Sequence, residues 1–421
     1  MNTILNHPDI DVYLLYFLNI KTIINITYLS KNQFGLFQNT IFIRQLFSIK
    51  ETKYIEHIIK VACVKNYIHL LQWIHDSINK FVHKCASINV AAYYGNINVL
   101  QWFKNHAYGI YFTRLTATNI AVRNQVCVLQ WYHDNNFGIG YISNIVDMAS
   151  KYGNVDILQW LWDSNYTIDY SINAINSASK RGHINILQWF ASHNYEFKYT
   201  TAAIDSASKH NRIDILNWFD NSKYEFLYTE KAIDWACSKN HIDVLNWFAS
   251  SKYEFLYSVD AIVHAAKRGY VSVLDWFHSS KYELLCSNLA IDMAFKHIEV
   301  LKWFDNNGYE FKYTEWAINN ACYNNNTEIL EWWHNSKYEF KYGPDAIINA
   351  ITLGNNNVVE WFKTKNYNFE IEGVIDWRDK NEHCKIYDLY TYLFNSHDSN
   401  SDDELWLDIY DDDDYDYDIH N

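Results

Sequence analysis

Hydrophobic and polar positions recur along the chain with a period of 29 residues, and tryptophan marks that period. Two residues before each marking Trp lies Leu in ten cases and Val359 in the last, and an aromatic or aliphatic residue follows each Trp. The polar positions, one and four residues before the Trp, share one ridge of a helix. This pattern predicts a helix with a narrow polar stripe that neighbours cover on most sides. The marking tryptophans, 29 residues apart except for an interval of 27 after Trp276, are Trp73, Trp102, Trp131, Trp160, Trp189, Trp218, Trp247, Trp276, Trp303, Trp332 and Trp361.

A second pattern upstream of each Trp predicts another helix in every repeat. Ala174, Ile175 and Ala178 illustrate it, because their spacings of one and four residues place them on a single helix face. A Thr or Ser eighteen residues before the Trp can cap this helix, since its hydroxyl can accept from backbone N–H groups of the first turn. The predicted caps are Thr113, Ser171, Thr200, Thr229, Ser258 and Thr314.

Gly or Asn lies seven residues before the Trp in ten of the eleven repeats. Both residue types tolerate the left-handed backbone conformation, so the first helix is expected to end there in a sharp turn. The exception is Lys296, which lies in the shortened interval and predicts a remodelled turn. The other ten positions are Asn66, Gly95, Asn124, Gly153, Gly182, Asn211, Asn240, Gly269, Asn325 and Gly354.

Each repeat therefore reads as helix, tight turn, helix and a short extended linker with alternating aromatics, such as Tyr195 to Tyr199. One helical pair cannot bury these faces alone, but neighbours stacked at a fixed period can. The chain also has only two prolines, which favours helices. We predict an all-α solenoid of eleven stacked helix-turn-helix repeats over residues 53–371, with a small N-terminal helical segment before it.

The run AINSASKRGHINILQWF, from Ala174 to Phe190, resembles the ankyrin repeat, whose two helices are joined by a Gly-His turn. The resemblance is strongest in the turn and the second helix. The period of 29 is shorter than the roughly 33 residues of ankyrin repeats, and the missing residues fall in the linker, so the family's β-hairpin fingers are in doubt. The resemblance implies a module that binds other proteins.

Residues 1–50 do not follow the period and resemble an F-box, starting from His7-Pro8-Asp9-Ile10. That resemblance implies docking to the small adaptor of a cullin-type ubiquitin ligase. The alternative is a plain helical cap that shields the first repeat. The positions that the F-box family would use for docking are Pro8, Leu14, Leu15, Leu18, Ile23 and Ile24.

The C-terminal part departs from the repeat. Val374 to Trp377 echo the Ala-Ile-Asp phrase before the pattern dissolves, which predicts a degenerate cap over 373–397. Residues 398–421 contain 11 acidic residues and no Lys or Arg, and we expect a disordered, solvated tail. Without the tail, the formal net charge of −14 becomes −3, which argues against broad nucleic-acid binding.

Seven cysteines without a CxxC pair, and no secretory leader, predict a reducing compartment. Cys63, Cys237 and Cys322 occupy a position that holds Ser or Ala in other repeats, so they are predicted to be small core residues. No apolar run approaches the roughly 20 residues that span a bilayer. The chain holds no motif for catalysis, a metal or a cofactor, and His183 and His241 are expected to make structural hydrogen bonds in the turns.

The heavy use of Asn, Ile, Lys and Tyr resembles the repeat proteins of giant DNA viruses of the mimivirus type, which implies a location in the cytoplasm of the host cell. Columns that vary between repeats are expected to face outward and to bind a target protein. The leading hypothesis is an adaptor that links a target to a ubiquitin ligase, and the alternative is an interaction scaffold without that link. The candidate target-binding residues, twelve or sixteen residues before a Trp, are Met148, Lys231, Trp235, Asp260, His264, Trp316, Asn320 and Asp345.

Overall fold

The computed structural model describes residues 52–77 and 85–367, which form 22 α-helices and no strand. The helices come in eleven pairs. The first helices are α1 (Thr52–Lys65), α3 (Cys85–Tyr93), α5 (Arg114–Val122), α7 (Ile142–Lys151), α9 (Ile172–Arg181), α11 (Ala202–Lys209), α13 (Lys231–Ser238), α15 (Asp260–Lys267), α17 (Asn288–Asp292), α19 (Trp316–Tyr323) and α21 (Pro344–Thr352). The second helices are α2 (Ile68–Ser77), α4 (Ile97–Asn105), α6 (Val126–Asp134), α8 (Val155–Asp163), α10 (Ile184–Ser192), α12 (Ile213–Asp220), α14 (Ile242–Ser250), α16 (Val271–Ser279), α18 (Ile298–Asn306), α20 (Thr327–Asn335) and α22 (Asn356–Thr364).

The chain divides into two compact units, one of Met1–Ala290 with Glu299–Glu310 and one of Ile291–Ile298 with Phe311–Asn421. In the first unit the first helices pack on one another in order from α1 to α15, and each of them packs on its own second helix. In the second unit α19 packs on α21, and α20 packs on α22. First helices therefore pack on first helices and second helices on second helices. This arrangement confirms the predicted all-α solenoid of helix-turn-helix repeats.

The core of each repeat is built from the residue that follows the marking Trp and from the Ala and Ile columns of the first helix. Phe190, Phe219 and Phe248 are at most 1% exposed, and Ala174 and Ile175 are fully buried. The marking tryptophans themselves are not uniformly buried. Six of these indoles are 6 to 9% exposed, whereas Trp218, Trp247, Trp276 and Trp332 are half-buried.

Most of the marking indoles donate their N–H to the polar position of the preceding repeat. Trp160 Nε1 donates to Gln130 Oε1 at 2.7 Å, and Trp247 Nε1 donates to Asn217 Oδ1 at 2.7 Å. The ring therefore lies at the border between the core and the polar stripe. The same bond, at 2.6 to 3.0 Å, is made by Trp102, Trp131, Trp189, Trp276, Trp303 and Trp361.

The turns between paired helices adopt the predicted conformation. All ten predicted Gly and Asn positions have φ between 54° and 79°. Lys296 is not among the left-handed residues of the described chain, and it lies in the second of two short turns, at 293 and 295–296, so the remodelled turn is confirmed as well. Asn211 adopts this conformation although, unlike Gly, it carries a side chain, because Asn tolerates the left-handed region.

The predicted Ser and Thr caps accept hydrogen bonds from the first turn in all six cases. Ser171 Oγ accepts from Asn173 N–H at 3.1 Å, and Thr229 Oγ1 accepts from Lys231 N–H at 3.2 Å. In the repeats of Thr200, Thr229, Ser258 and Thr314 the helix begins two residues after the cap, later than predicted. Those repeats start with a single tight turn before the regular helix.

A carboxylate or amide of the preceding repeat completes most of these caps. Asp205 accepts from the Thr229 N–H and hydroxyl, both at 2.9 Å. Asp234 accepts from the Ser258 N–H at 2.9 Å and from its hydroxyl at 2.6 Å. Each first helix is thus capped partly by its neighbour, which ties the position of one repeat to the next. We call these side-chain pairs the cap ladder; its other members include Asp147–Ser171, Asn176–Thr200 and Asp292–Thr314.

Candidate protein-binding surface

The predicted target-binding residues lie on the first helices or at their start, as the period requires, but their exposure differs. Asp260, Trp316 and Asp345 are exposed. The side chains of Met148, Lys231, Trp235 and His264 are half-buried. Since α13 packs on α15 and α19 packs on α21, equivalent positions of adjacent repeats are brought next to each other within each unit.

Asn320 does not face outward, and its placement corrects the prediction for this position. The residue is 4% exposed, and its Nδ2 donates to the Asp292 carbonyl at 3.4 Å. Helix α17 ends at Asp292, so that carbonyl has no partner further along its own helix. Asn320 supplies a donor for it and is therefore a packing residue that a target protein cannot reach.

Trp235 is held between two cations. The ammonium groups of Lys209 and Lys231 lie 5.3 and 5.7 Å from the centre of its ring system. Cation–π contacts of this kind fix the orientation of the indole. The half-buried Trp235 is therefore flanked by positive charge on both sides.

Trp316 is the most exposed of the large residues among the predicted candidates, at 38%. It lies at the start of α19, one residue after Glu315, and Asp345 holds the equivalent position of α21. An indole beside carboxylates can contact an apolar or a cationic side chain of a partner.

Sequence reasoning missed a set of exposed apolar residues at or just before the start of first helices. These side chains are 44 to 52% exposed although they are large and apolar. Their signal in the sequence was an apolar residue sixteen to nineteen positions before the Trp, or fourteen in the shortened repeat of Leu289. Of these positions, only the column sixteen residues before the Trp was considered. The set comprises Leu115, Tyr141, Ile172, Val259 and Leu289.

His264 lies within the same surface, and its environment favours the neutral imidazole. Burial lowers the pKa of His264, with an opposing contribution from Asp260 and a further lowering by Lys267 and Arg268. The side chain therefore acts as a neutral donor or acceptor near neutral pH.

Other chemistry-bearing groups in the described part of the chain are structural. Cys63, Cys237 and Cys322 are buried, as predicted. His241 Nε2 lies 3.0 Å from the Lys209 carbonyl, which confirms a structural hydrogen bond in that turn. Within residues 52–77 and 85–367 no group of three or more His, Cys, Asp or Glu side chains could hold a metal ion. None of the described helices is both long and apolar enough to cross a bilayer.

A shallow depression of about 680 Å³ lies between α10 and α12 and is lined by Ile184, Ala191, Trp218 and Tyr224 among others. Asp214 and Lys223 are the charged residues at its border. The depression explains why Trp218 is half-buried, because one side of the indole lines an open surface.

The family model of ankyrin repeats, described as present in many copies, matches residues 146–191 of the chain. The matched segment runs from α7 to α10 and includes the Gly182 turn. No curated protein matches the chain. The repeats over this segment are thus similar to ankyrin repeats in sequence as well as in their helix-turn-helix fold, and ankyrin repeats form protein-interaction modules.

Proposed function

We propose that the chain is a protein-binding adaptor, in which the repeats hold a target protein and residues 1–50 recruit a cullin-type ubiquitin ligase through its small adaptor. The single observation that carries target binding is a stack of nearly identical repeats whose exposed first-helix positions vary. Packing explains the constant positions, whereas it does not require Trp316 to be exposed at the start of α19. Solenoids use such variable faces for recognition.

Trp316 is the anchor that we propose for the target, because exposed tryptophans are frequent centres of binding energy in interfaces. Cross-linking mass spectrometry on the full chain should place target peptides next to first-helix residues around Trp316. Trp316→Ala should remove most of these cross-links. The matched control is Trp162→Ala on α8, since Trp162 is 44% exposed but lies on a second helix. Equal losses in both variants would contradict the assignment to the first-helix face.

The ligase link rests on the F-box resemblance of residues 1–50, and all six proposed docking positions lie outside the described residues: Pro8, Leu14, Leu15, Leu18, Ile23 and Ile24. The proposed C-terminal cap (373–397) and acidic tail (398–421) also lie outside them. A pull-down with the ligase adaptor should retain the intact chain and lose the Leu14→Asp/Leu15→Asp variant. If the intact chain is not retained, the second candidate stands, an interaction scaffold without a ubiquitin link.

We further propose that the adaptor acts in the cytoplasm, of the host cell if the chain is viral. The support is chemical, because Cys63, Cys127, Cys237, Cys286 and Cys322 are free thiols. Burial raises the pKa of the Cys63 thiol to about 12, so it stays protonated and unreactive. Imaging of the tagged full chain would test this location, and a signal confined to an oxidising compartment would contradict it.

A further inference from the structure

The turns between paired helices form a continuous row in the repeats from α7 to α16. Successive turns contact each other directly: Asn185 Nδ2 donates to the Gly153 carbonyl at 3.0 Å, and Ser272 Oγ donates to Asn240 Oδ1 at 2.6 Å. We call residues 151–156, 180–185, 209–214, 238–243 and 267–272 the turn row. Side chains of five repeats therefore share one edge of the first unit.

The turn row is basic although the chain is acidic. It holds eight Lys or Arg against three Asp, a net charge of +5 with His neutral, whereas the whole chain carries −14. All of these cations except the exposed Lys267 are half-buried. They are Lys151, Lys180, Arg181, Lys209, Arg212, Lys239, Lys267 and Arg268.

Carbonyls at the ends of first helices in the turn row receive donors from the next repeat. Cations are common near helix C-termini because they can bond the last carbonyls. Here side chains of the next repeat already reach those carbonyls: Arg212 Nε donates to the Lys180 carbonyl at 3.4 Å, and His241 bonds the Lys209 carbonyl. The Lys180 and Lys209 carbonyls therefore do not depend on a cation of their own repeat for a donor.

Aromatic rings hold some of these cations in place. The Arg181 guanidinium lies 5.0 Å from the centre of the Tyr152 ring, and the Lys209 ammonium lies over Trp235. A cation that is already ordered on a ring loses less conformational entropy when it binds a carboxylate. The turn row thus has both the charge and the preorganisation of an anion-binding surface.

We propose that the turn row docks an acidic, extended segment of a partner protein. Adjacent turns are separated by about 10 Å, the distance between packed helices, which corresponds to about three residues of extended chain. A segment of about 15 residues with an acidic side chain at every third position would therefore meet a cation in each of the five repeats. This surface does not include Trp316, the anchor of the proposed function, although Lys209 also contacts the candidate Trp235. Its test uses an acidic peptide and not the target protein, so the two proposals can fail independently.

An acidic polypeptide fits the row better than a nucleic acid does. Asp156, Asp214 and Asp243 are exposed and alternate with the cations along the row. A phosphate backbone carries charge at a fixed short spacing and has to pass each of these carboxylates. A peptide can place its own carboxylates opposite the cations and uncharged residues opposite the Asp side chains.

Fluorescence anisotropy with the full chain tests the proposal. The probes are a labelled peptide of about 15 residues with Asp at about every third position in a Gly/Ser background, and a labelled duplex DNA. The full chain should bind the peptide more tightly than the DNA at physiological ionic strength. Lys180→Glu/Arg181→Glu/Lys209→Glu should weaken peptide binding by about tenfold or more, since rim and surface charges act on electrostatic attraction.

The matched control is Lys223→Glu/Lys281→Glu/Lys302→Glu, which changes the net charge equally at exposed positions outside the turn row. It should weaken peptide binding by less than about threefold. Both variants should retain the helical circular dichroism of the parent chain. The proposal is overturned if the two variants weaken binding equally, if the DNA binds more tightly than the peptide, or if the folded parent chain does not bind the peptide.

Discussion

The repeats of α13 and α15 and the short repeat of α17 begin in different ways. Thr229 and Ser258, the caps before α13 and α15, are bonded to Asp205 and Asp234 of the preceding repeats. Ser287 is the equivalent residue before α17. The position in the preceding repeat that should bond it is Val263, whose side chain has no hydrogen-bond acceptor. In the described part of the chain the buried Ser287 hydroxyl has no hydrogen-bond partner. Helix α17 has five residues, whereas α13 and α15 have eight.

The short repeat of α17 shows that the apolar columns and the cap ladder have different roles, which cannot be told apart in the regular repeats. Ala290, Ile291 and Ala294 are at most 1% exposed, so the apolar columns persist in the short repeat. The cap ladder is interrupted there, and the first helix is reduced. The apolar columns therefore maintain the stack, and the cap ladder together with the full 29-residue period defines the length and start of each first helix.

The largest expected effect concerns the apolar columns. Ile233→Ala in α13 and Ile291→Ala in α17 should each reduce the free energy of unfolding by about 2 to 5 kcal/mol, because both remove a buried side chain. Denaturant melts followed by circular dichroism would measure the two losses. A much smaller loss for Ile291→Ala would show that the short repeat is not packed like the regular ones.

The next effect makes a regular repeat resemble the short one. Asp234→Ala removes the acceptor of the Ser258 N–H and hydroxyl and should cost about 1 to 3 kcal/mol in unfolding free energy. The melts are done at about pH 5, where the Asp234 carboxyl is mostly protonated. The cost of burying a charged carboxylate then does not contribute to the measured difference in unfolding free energy. Asp234→Asn is the control, since Asn176 holds this position naturally and bonds Thr200. A loss as large for Asn as for Ala would rule out the cap as the cause.

The cap ladder should also make stability depend on pH. Burial raises the pKa of Asp205 and of Asp234 to about 6, against an ordinary value of 3.8. Because the folded state binds the proton more tightly than the unfolded state, the unfolding free energy should rise as pH falls from 7 to 5, by about 1 kcal/mol for each carboxyl. The Asp205→Asn/Asp234→Asn variant should flatten this dependence. Melts that show a fall in stability over the same pH range would contradict the assignment.

The smallest effect repairs the short repeat. Val263→Asn places an acceptor opposite Ser287, in the arrangement that Asn176 has with Thr200. The lost apolar burial of Val263 works against the new bond, so the useful comparison is with Val263→Ala. The Asn variant should be more stable than the Ala variant by about 1 kcal/mol in denaturant melts. The reverse order would mean that the missing acceptor is not what distinguishes this repeat.

Much of the fold could be predicted from the sequence, because the deciding interactions are local or repeat at a fixed period. The left-handed turns at Gly182 and Asn211 follow from residue type alone, and the caps at Ser171 and Thr229 follow from their place before an apolar pattern. The partner of each cap lies 24 residues earlier, so its role emerges only when two repeats are stacked.

The candidate surface could be predicted only in part. The exposure of Trp316 and Asp345 agrees with the expectation for variable columns. The burial of Asn320 could not be foreseen, because it depends on a carbonyl at the end of the shortened helix α17. Trp247 donates to an acceptor in another repeat, Asn217, so this bond could not be predicted from the segment around Trp247 alone.

Hydrogen exchange at the cap amides tests directly whether each repeat completes the first helix of the next. The Thr229 and Ser258 amides donate to Asp205 and Asp234 at 2.9 Å. For the Ser287 amide, the equivalent position of the preceding repeat is Val263, whose side chain cannot accept a hydrogen bond. After correction for intrinsic rates, the Thr229 and Ser258 amides should exchange more slowly than the Ser287 amide, by about tenfold or more. Equal protection at the three positions would contradict the claim.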